Sequence, residues 1–339
     1  MKKMTIKDIA RLGGVSITTV SKIINGKDHD ISQATIDRIN QIMAEQRYVP
    51  NKLAGSLVTK TTKTIGLVIP DITNPFFPEL VRGAEDRAQE AGYSIFFCNS
   101  DDQPEKENQY IISLLEKMVD GIVFTAASTD SSSLRAMHHI NSPVVLVDRV
   151  IDLEEVKASI VVTNEKGAYE GTKYLIELGH KKILHITGPK MGQICQEREM
   201  GYRQALGEAG IEIEDANVRY GHFKIDWGYK AMTEIESENR DYTAVFCGND
   251  LIALGVMKYL KEKGKKIPED CSVLGFDDIQ IASHVDPPLT TIMQPKYQMG
   301  YQAVNVMVRL LNGETFDAQS KTIVLNTELI VRSTCSSPR

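Results

Sequence analysis

The chain has 339 residues, 42% of them hydrophobic and 25% charged, with a net charge of −6 and a pI near 5.7. That composition is ordinary for a globular protein, and the length suits two or three domains of ~100–200 residues each. It excludes a membrane span, because no apolar run approaches ~18–20 residues, and taken whole the acidity argues against a nucleic-acid partner. The average hides an asymmetry. Residues 1–63 hold 11 Lys/Arg against 5 Asp/Glu, a net of +6, while the other 276 hold 28 against 40, a net of −12. A basic head on an acidic body predicts two domains with different partners.

In the head, Thr5 is placed to cap a helix whose first turn carries Asp8. Ile6, Ile9, Ala10 and Leu12 give it an apolar face, and Gly13-Gly14 ends it. Ser16 caps a second helix running to Asn25, with Val20, Ile23 and Ile24 inward, and Gly26 supplies the stop. A third opens at Ser32 and turns Ile36, Ile39, Ile42 and Met43 inward. Two short helices about a glycine turn, backed by a third, form the helix-turn-helix plan. Its second helix enters the major groove N-terminus first. Here it presents Ile17, Thr18, Ser21 and Lys22: short hydroxyls that allow close approach and a lysine for guanine or phosphate. A small three-helix bundle with a solvated polar face would show the same pattern.

Thr5-Ile6-Lys7-Asp8-Ile9-Ala10, Val15-Ser16, Thr19-Val20-Ser21, Asn25-Gly26, Tyr48-x-Pro50-Asn51 and Leu57 together resemble the head of the LacI/GalR family of bacterial repressors. The resemblance implies a DNA-facing set of Thr5, Ser16, Ile17, Thr18, Thr19, Ser21, Lys22, Asn25, Asn51, Lys52, Ala54 and Leu57. In that family a hinge helix follows the bundle and forms on operator DNA. Its leucine, here Leu57, wedges into the minor groove, where apolar wedges kink the duplex, and Ala54 lies against the groove floor. Two departures stand out. Gly55 replaces the usual Arg and weakens the hinge helix by ~1 kcal/mol relative to alanine. The turn Lys27-Asp28-His29-Asp30 is one residue longer than usual and brings acids near the DNA backbone.

From residue 64 short apolar runs alternate with amphipathic stretches. Strands are predicted at 65–69, 94–98, 121–124 and 144–147, with helices at 79–91, 111–117 and 134–138. A second series follows, with strands at 160–162, 183–186, 218–221, 244–247 and 272–275 and helices at 169–178, 198–209, 227–235 and 251–263. A helix at 304–311 and one strand over 323–331 close the chain. Strands alternating with helices mean α/β parallel sheets covered on both faces, and about ten strands call for two subdomains. Ligands bind such folds at strand ends and in the intervening cleft.

This body also resembles the family, whose core has the fold of periplasmic sugar-binding proteins: two parallel doubly wound sheets with three chain crossings. The implied organisation is a helix-turn-helix domain at 1–50, hinge helix and linker at 51–63, an N-subdomain at 64–160 plus 293–322, and a C-subdomain at 161–292 plus 323–339. Strand ends carry Asn74, Phe76, Phe77, Asp148, Arg149, Arg198, Phe223, Asn249, Asp277 and Gln294. Aromatic rings can cover the C–H faces of a sugar, carboxylates accept from its hydroxyls, and arginines donate and offset the acids. The two acids and two arginines of the set balance, which suits a neutral polyol better than a phosphate or a purine. Singly, each residue has a plainer role: a helix cap for Asp, an Asx turn for Asn249-Asp250, core packing for Phe76-Phe77, and for Arg198 a pairing with Asp277 from the facing subdomain. As a set they are similar to the pocket of ribose-binding members of this superfamily, and the chain as a whole to ribose operon repressors.

The expectation is a sugar-responsive transcriptional repressor, a homodimer on near-palindromic operator DNA, with ribose or a related pentose as effector. The five cysteines are scattered without C-x-x-C spacing and the seven histidines form no metal-ligand pattern, as in a reduced cytoplasmic protein without metal or cofactor. No nucleophile arrangement, P-loop or G-x-G-x-x-G is present, so an enzyme is not expected. A transport solute-binding protein would have a signal sequence and no basic head. The alternative within the family is a catabolite-control regulator governed by a phosphocarrier protein or a different sugar.

Overall fold

The computed structural model describes residues 4–49, 61–126, 142–151, 153–317 and 320–339. The predicted helix at 134–138 and Asn51, Lys52, Ala54, Gly55 and Leu57 lie outside them. The chain divides into two compact units, Met1–Thr62 and Lys63–Arg339.

The first unit is a three-helix head of α1 (Ile6–Gly13), α2 (Ile17–Ile24) and α3 (Gln33–Glu45). Thr5 caps α1 reciprocally: its hydroxyl accepts from the Asp8 N–H while the Asp8 carboxylate accepts from the Thr5 N–H at 3.1 Å. Ser16 caps α2, accepting from the Thr19 N–H at 3.0 Å. Ile9, Ala10, Val20, Ile23 and Ile39 form the sealed centre, with Ile36, Ile42 and Met43 at its edge. A Cβ on Gly13 would stand 2.1 Å from the tip of the Ile39 side chain, which would have to move within the sealed centre to admit it. Leu12 departs from its expected place. It is 51% exposed, because the buried face of α1 is set by Ile9, Ala10 and Gly13 and Leu12 lies roughly 100° round the helix from its centre.

The second unit alternates strand and helix. Its first lobe is built on β1 (Thr64–Ile69), β2 (Ser94–Asn99), β3 (Gly121–Phe124), β4 (Val144–Val147) and β5 (Val156–Val162), with α4 (Phe76–Glu90) and α5 (Pro104–Glu116) between them. The second lobe follows with α6 (Asn164–Glu177), β6 (Ile183–Thr187), α7 (Gln193–Glu208), β7 (Val218–Tyr220), α8 (Ile225–Ser237), β8 (Ala244–Cys247), α9 (Asp250–Glu262), β9 (Ser272–Asp277) and β10 (Thr290–Met293). The chain then gives α10 (Lys296–Leu311), β11 (Thr322–Leu325) and β12 (Glu328–Ile330). The first sheet has the order β11-β5-β4-β3-β1-β2 and is parallel throughout; the second has the order β12-β10-β9-β8-β6-β7, with β12 alone antiparallel to its neighbour. The central strands are buried on both faces, which explains their unbroken Val/Ile/Leu runs.

The tail corrects the expectation of one strand over 323–331. Asn326-Thr327 divides it, leaving β11 beside β5 in the first sheet and β12 beside β10 in the second. Consequently 323–325 belong with the first lobe, and β5 carries that lobe to Val162 rather than 160. The break is fixed by hydrogen bonding: the Thr327 N–H donates to the Thr163 hydroxyl at 3.0 Å, tying two of the three crossing segments together. The remaining crossing leads into α10, which packs on α4 so tightly that a Cβ on Gly300 would lie 1.9 Å from the Leu80 carbonyl.

Candidate functional site

In each lobe the strand order reverses beside the first strand, and the loops leaving the carboxyl ends there are where open α/β sheets hold ligands. A cleft cavity of about 530 Å³ occupies this place. Its lining includes all ten side chains expected at strand ends: Asn74, Phe76, Phe77, Asp148 and Arg149 from the first lobe, and Arg198, Phe223, Asn249, Asp277 and Gln294 from or beside the second.

Local chemistry sets each one. Asn74 makes an Asx turn, accepting from the Phe76 N–H at 3.1 Å, and so starts α4 three residues before the expected Glu79. Phe76 and Phe77 meet edge to face at 5.1 Å and are nearly buried, serving core and cleft wall together. Asp148 follows β4 at φ +71 and Asp277 ends β9 at φ +116, left-handed conformations that non-glycine residues seldom adopt. Such strain clusters where the surrounding structure fixes a functional side chain.

The charged groups are deeply placed. Arg198 is 2% exposed; its Nε donates to Asn164 Oδ1 at 3.0 Å, its Nη1 donates to the Gly248 carbonyl, and its guanidinium lies 3.7 Å above the Phe276 ring. Its Nη1 stands 3.8 Å from Asp277 Oδ1. Both residues belong to the second lobe, so the pairing is within a lobe and not, as expected, across the cleft. Gln294 Nε2 donates to the same Asp277 oxygen at 2.7 Å. Burial pushes Asp277 up to about 6, against the pull of Arg198, Gln294 and Lys296. Burial also raises Asp148, opposed by Arg149 and Arg198. Asp148 Oδ1 and Gln294 Oε1 are buried without a hydrogen-bond partner among the described residues. Asn249 caps α9 through the Ile252 N–H at 2.9 Å, and Phe223 covers Gly188, where a Cβ would come within 2.5 Å of the ring.

Several site residues escaped the sequence. Gln193 accepts from the Val150 N–H across the lobes at 3.1 Å, and Lys224 faces Asp71 across the mouth at 3.9 Å. Lys296 is 3% exposed; it donates to the carbonyls of Asp277 and Asp278 at 2.8 Å each and lies 3.4 Å from Glu79 on α4. Asn164, Gln193 and Lys296 all open helices, and a polar residue at a helix start was their only signal. The neighbouring Asp250 belongs to the scaffold: it accepts from the Ile279 N–H and the Thr291 hydroxyl, and burial holds it well above the usual carboxylate range.

In the head, Ile17 and Thr18 are exposed at the start of α2. The hydroxyls of Thr5, Ser16 and Thr19 are engaged locally, Ser16 bonding Thr19 at 2.8 Å. Asn25 closes α2 by donating to the Ser21 carbonyl at 2.7 Å, and Lys22 is bonded to Asp30.

The family profile for the "lacI family" of bacterial regulatory proteins matches residues 5–51, and that for periplasmic binding proteins and the sugar binding domain of the LacI family matches 62–330. The chain belongs to the LacI family. It is therefore a DNA-binding transcriptional repressor and not an enzyme. It is 39% identical over 332 residues to the HTH-type transcriptional repressor PurR of Vibrio atlanticus (strain LGP32), covering 97% of this chain and 98% of that one. The lac repressor dimer bound to operator and an anti-inducer superposes with a TM-score of 0.88 at 27% identity, over 99% of this chain and 100% of that one. A LacI family regulator from Enterococcus faecium with bound ribose gives 0.72 at 26% identity, over 81% and 100%. Among the described residues no group of His, Cys, Asp and Glu is placed to hold a metal ion, and no helix is long and apolar enough to cross a membrane.

Proposed function

We propose that the chain acts in the cytoplasm as a homodimeric repressor of a sugar-utilisation operon, with ribose or a close pentose relative as its cleft effector. The single observation behind this is the lining of one cavity by all ten strand-end residues, two of them buried carboxylates. Hydroxyl donors would satisfy Asp148 and Asp277 in their ionised form, Arg149 and Arg198 would donate in return, and Phe76, Phe77 and Phe223 would cover the ring. The ribose bound by the Enterococcus faecium relative supports the same reading.

The head would read a near-palindromic operator, since a two-fold protein matches a two-fold site. Thr18, Lys22 and Leu57 would supply specificity, and the other head and hinge residues would hold the register. For the second copy, the exposed Phe96 and Phe97 of edge strand β2 offer apolar surface on the first lobe. The effector acts through its different affinity for the DNA-bound and released states. By analogy with sugar repressors it would release DNA.

A purine effector is the second reading, favoured by the name of the 39%-identical relative. A thermal-shift panel discriminates, because a ligand that binds only the folded state raises its stability. Ribose is expected to raise Tm and to weaken operator binding. A shift with a free purine base and none with pentoses would replace this reading. Silence from all sugars and purines, with binding to a phosphocarrier protein, would favour the phosphocarrier-governed alternative.

A further inference from the structure

Lys22 is the one charged residue of α2, whose sequence is Ile-Thr-Thr-Val-Ser-Lys-Ile-Ile. Its ammonium is not held by its own helix. The Nζ donates to Asp30, eight positions on, at the end of the turn that leads to α3. Both groups stand in solvent, with side chains 41% and 65% exposed. The lysine in turn holds the Asp30 carboxyl below the usual carboxylate range. The charge of the groove-facing helix is therefore already matched before DNA arrives.

That has a consequence for discrimination. A free lysine on such a helix adds affinity for any duplex, because every phosphate attracts it equally. A lysine held by a carboxylate gains little from a hydrated phosphate, since one anion replaces another. At a guanine edge it meets two acceptors, O6 and N7, fixed in the groove. We propose that Asp30 is a specificity-determining residue of the head: by holding Lys22 it suppresses binding to non-cognate DNA more than binding to the operator. This rests on the reading of Lys22 as a base-contacting residue.

The test uses the full chain, fluorescence anisotropy and two labelled duplexes of equal length across a salt series. One is recovered from a randomised library by the unaltered protein and the other is random in sequence. Asp30→Asn should tighten the random duplex about two- to fivefold, the range an exposed ion pair allows. Its log Kd against log salt should steepen by roughly 0.9, one added phosphate contact. The selected duplex should change less, so the specificity ratio falls. Asp28→Asn makes the same charge change two positions away and should leave the ratio as it was. Equal tightening on both duplexes, or the same loss of ratio from Asp28→Asn, would overturn the proposal. Lys22→Met separates its foundation: unchanged affinity for the selected duplex would remove Lys22 as a base contact, and the role of Asp30 with it.

Discussion

The head and the cleft hold their functional side chains in opposite ways. In α2 the outward residues are exposed and their partners are close in sequence: Ser16 with Thr19, Asn25 with Ser21, Lys22 with Asp30. In the cleft the residues are buried and their partners are remote: Arg198 with Asn164, Gly248 and Asp277, and Lys296 with Asp277 and Glu79. A surface of the first kind can be altered one residue at a time with little effect on folding. A site of the second kind fails as a unit, because each charge removed strands another in a poorly solvated place.

The largest expected effect tests that contrast directly. Asp277→Ala should weaken effector binding by about 100-fold or more by calorimetry, the size of a lost charge-assisted hydrogen bond with its partner left unpaired, while operator affinity without effector stays unchanged. Ribose response retained in that variant would break the cleft assignment. Arg198→Ala should lower unfolding free energy by about 3 kcal/mol in urea, since it removes one side of a buried pair; a loss as small as that of a surface arginine would mean the guanidinium is dispensable. The third expectation concerns pH. The ligand's hydroxyls need the ionised Asp277, which burial sets near 6 in the free cleft. Affinity should be level above that pH and fall as pH drops through it, by up to about tenfold per unit. A flat profile from pH 7 to 5 would place the hydroxyl acceptor elsewhere. The smallest effect belongs to the head: Thr5→Ala removes the α1 cap and should cost about 1 kcal/mol of head stability by thermal unfolding, with no change in effector affinity.

The same contrast decides what the sequence made visible. Both sheets and the head follow from apolar runs and glycine stops, because buried strands and the Ile9–Val20–Ile39 centre leave no choice of residue. The helix starts were less legible. Helices expected from 169, 198 and 304 begin at Asn164, Gln193 and Lys296. Each opens on a polar residue, Asn164, Gln193 or Lys296, which interrupts the apolar period that betrays a helix. Three of the missed site residues, Asn164, Gln193 and Lys296, are thus also missed helix starts. The tail failed for a related reason. Two short strands in different sheets read as one run, since only the Thr163–Thr327 contact, between residues far apart in sequence, marks the crossing.

That crossing bears on how the protein is made. The first sheet is not complete until β11 joins β5, and Thr322 lies 160 positions beyond Val162. On the ribosome the head, closed within its own sixty-two residues, can fold early. The first lobe must wait with the outer edge of β5 unpaired until the second lobe has been synthesised and the chain returns. Exposed edge backbone is a template for wrong pairing, so the outer edge of β5 stays open to it until β11 arrives.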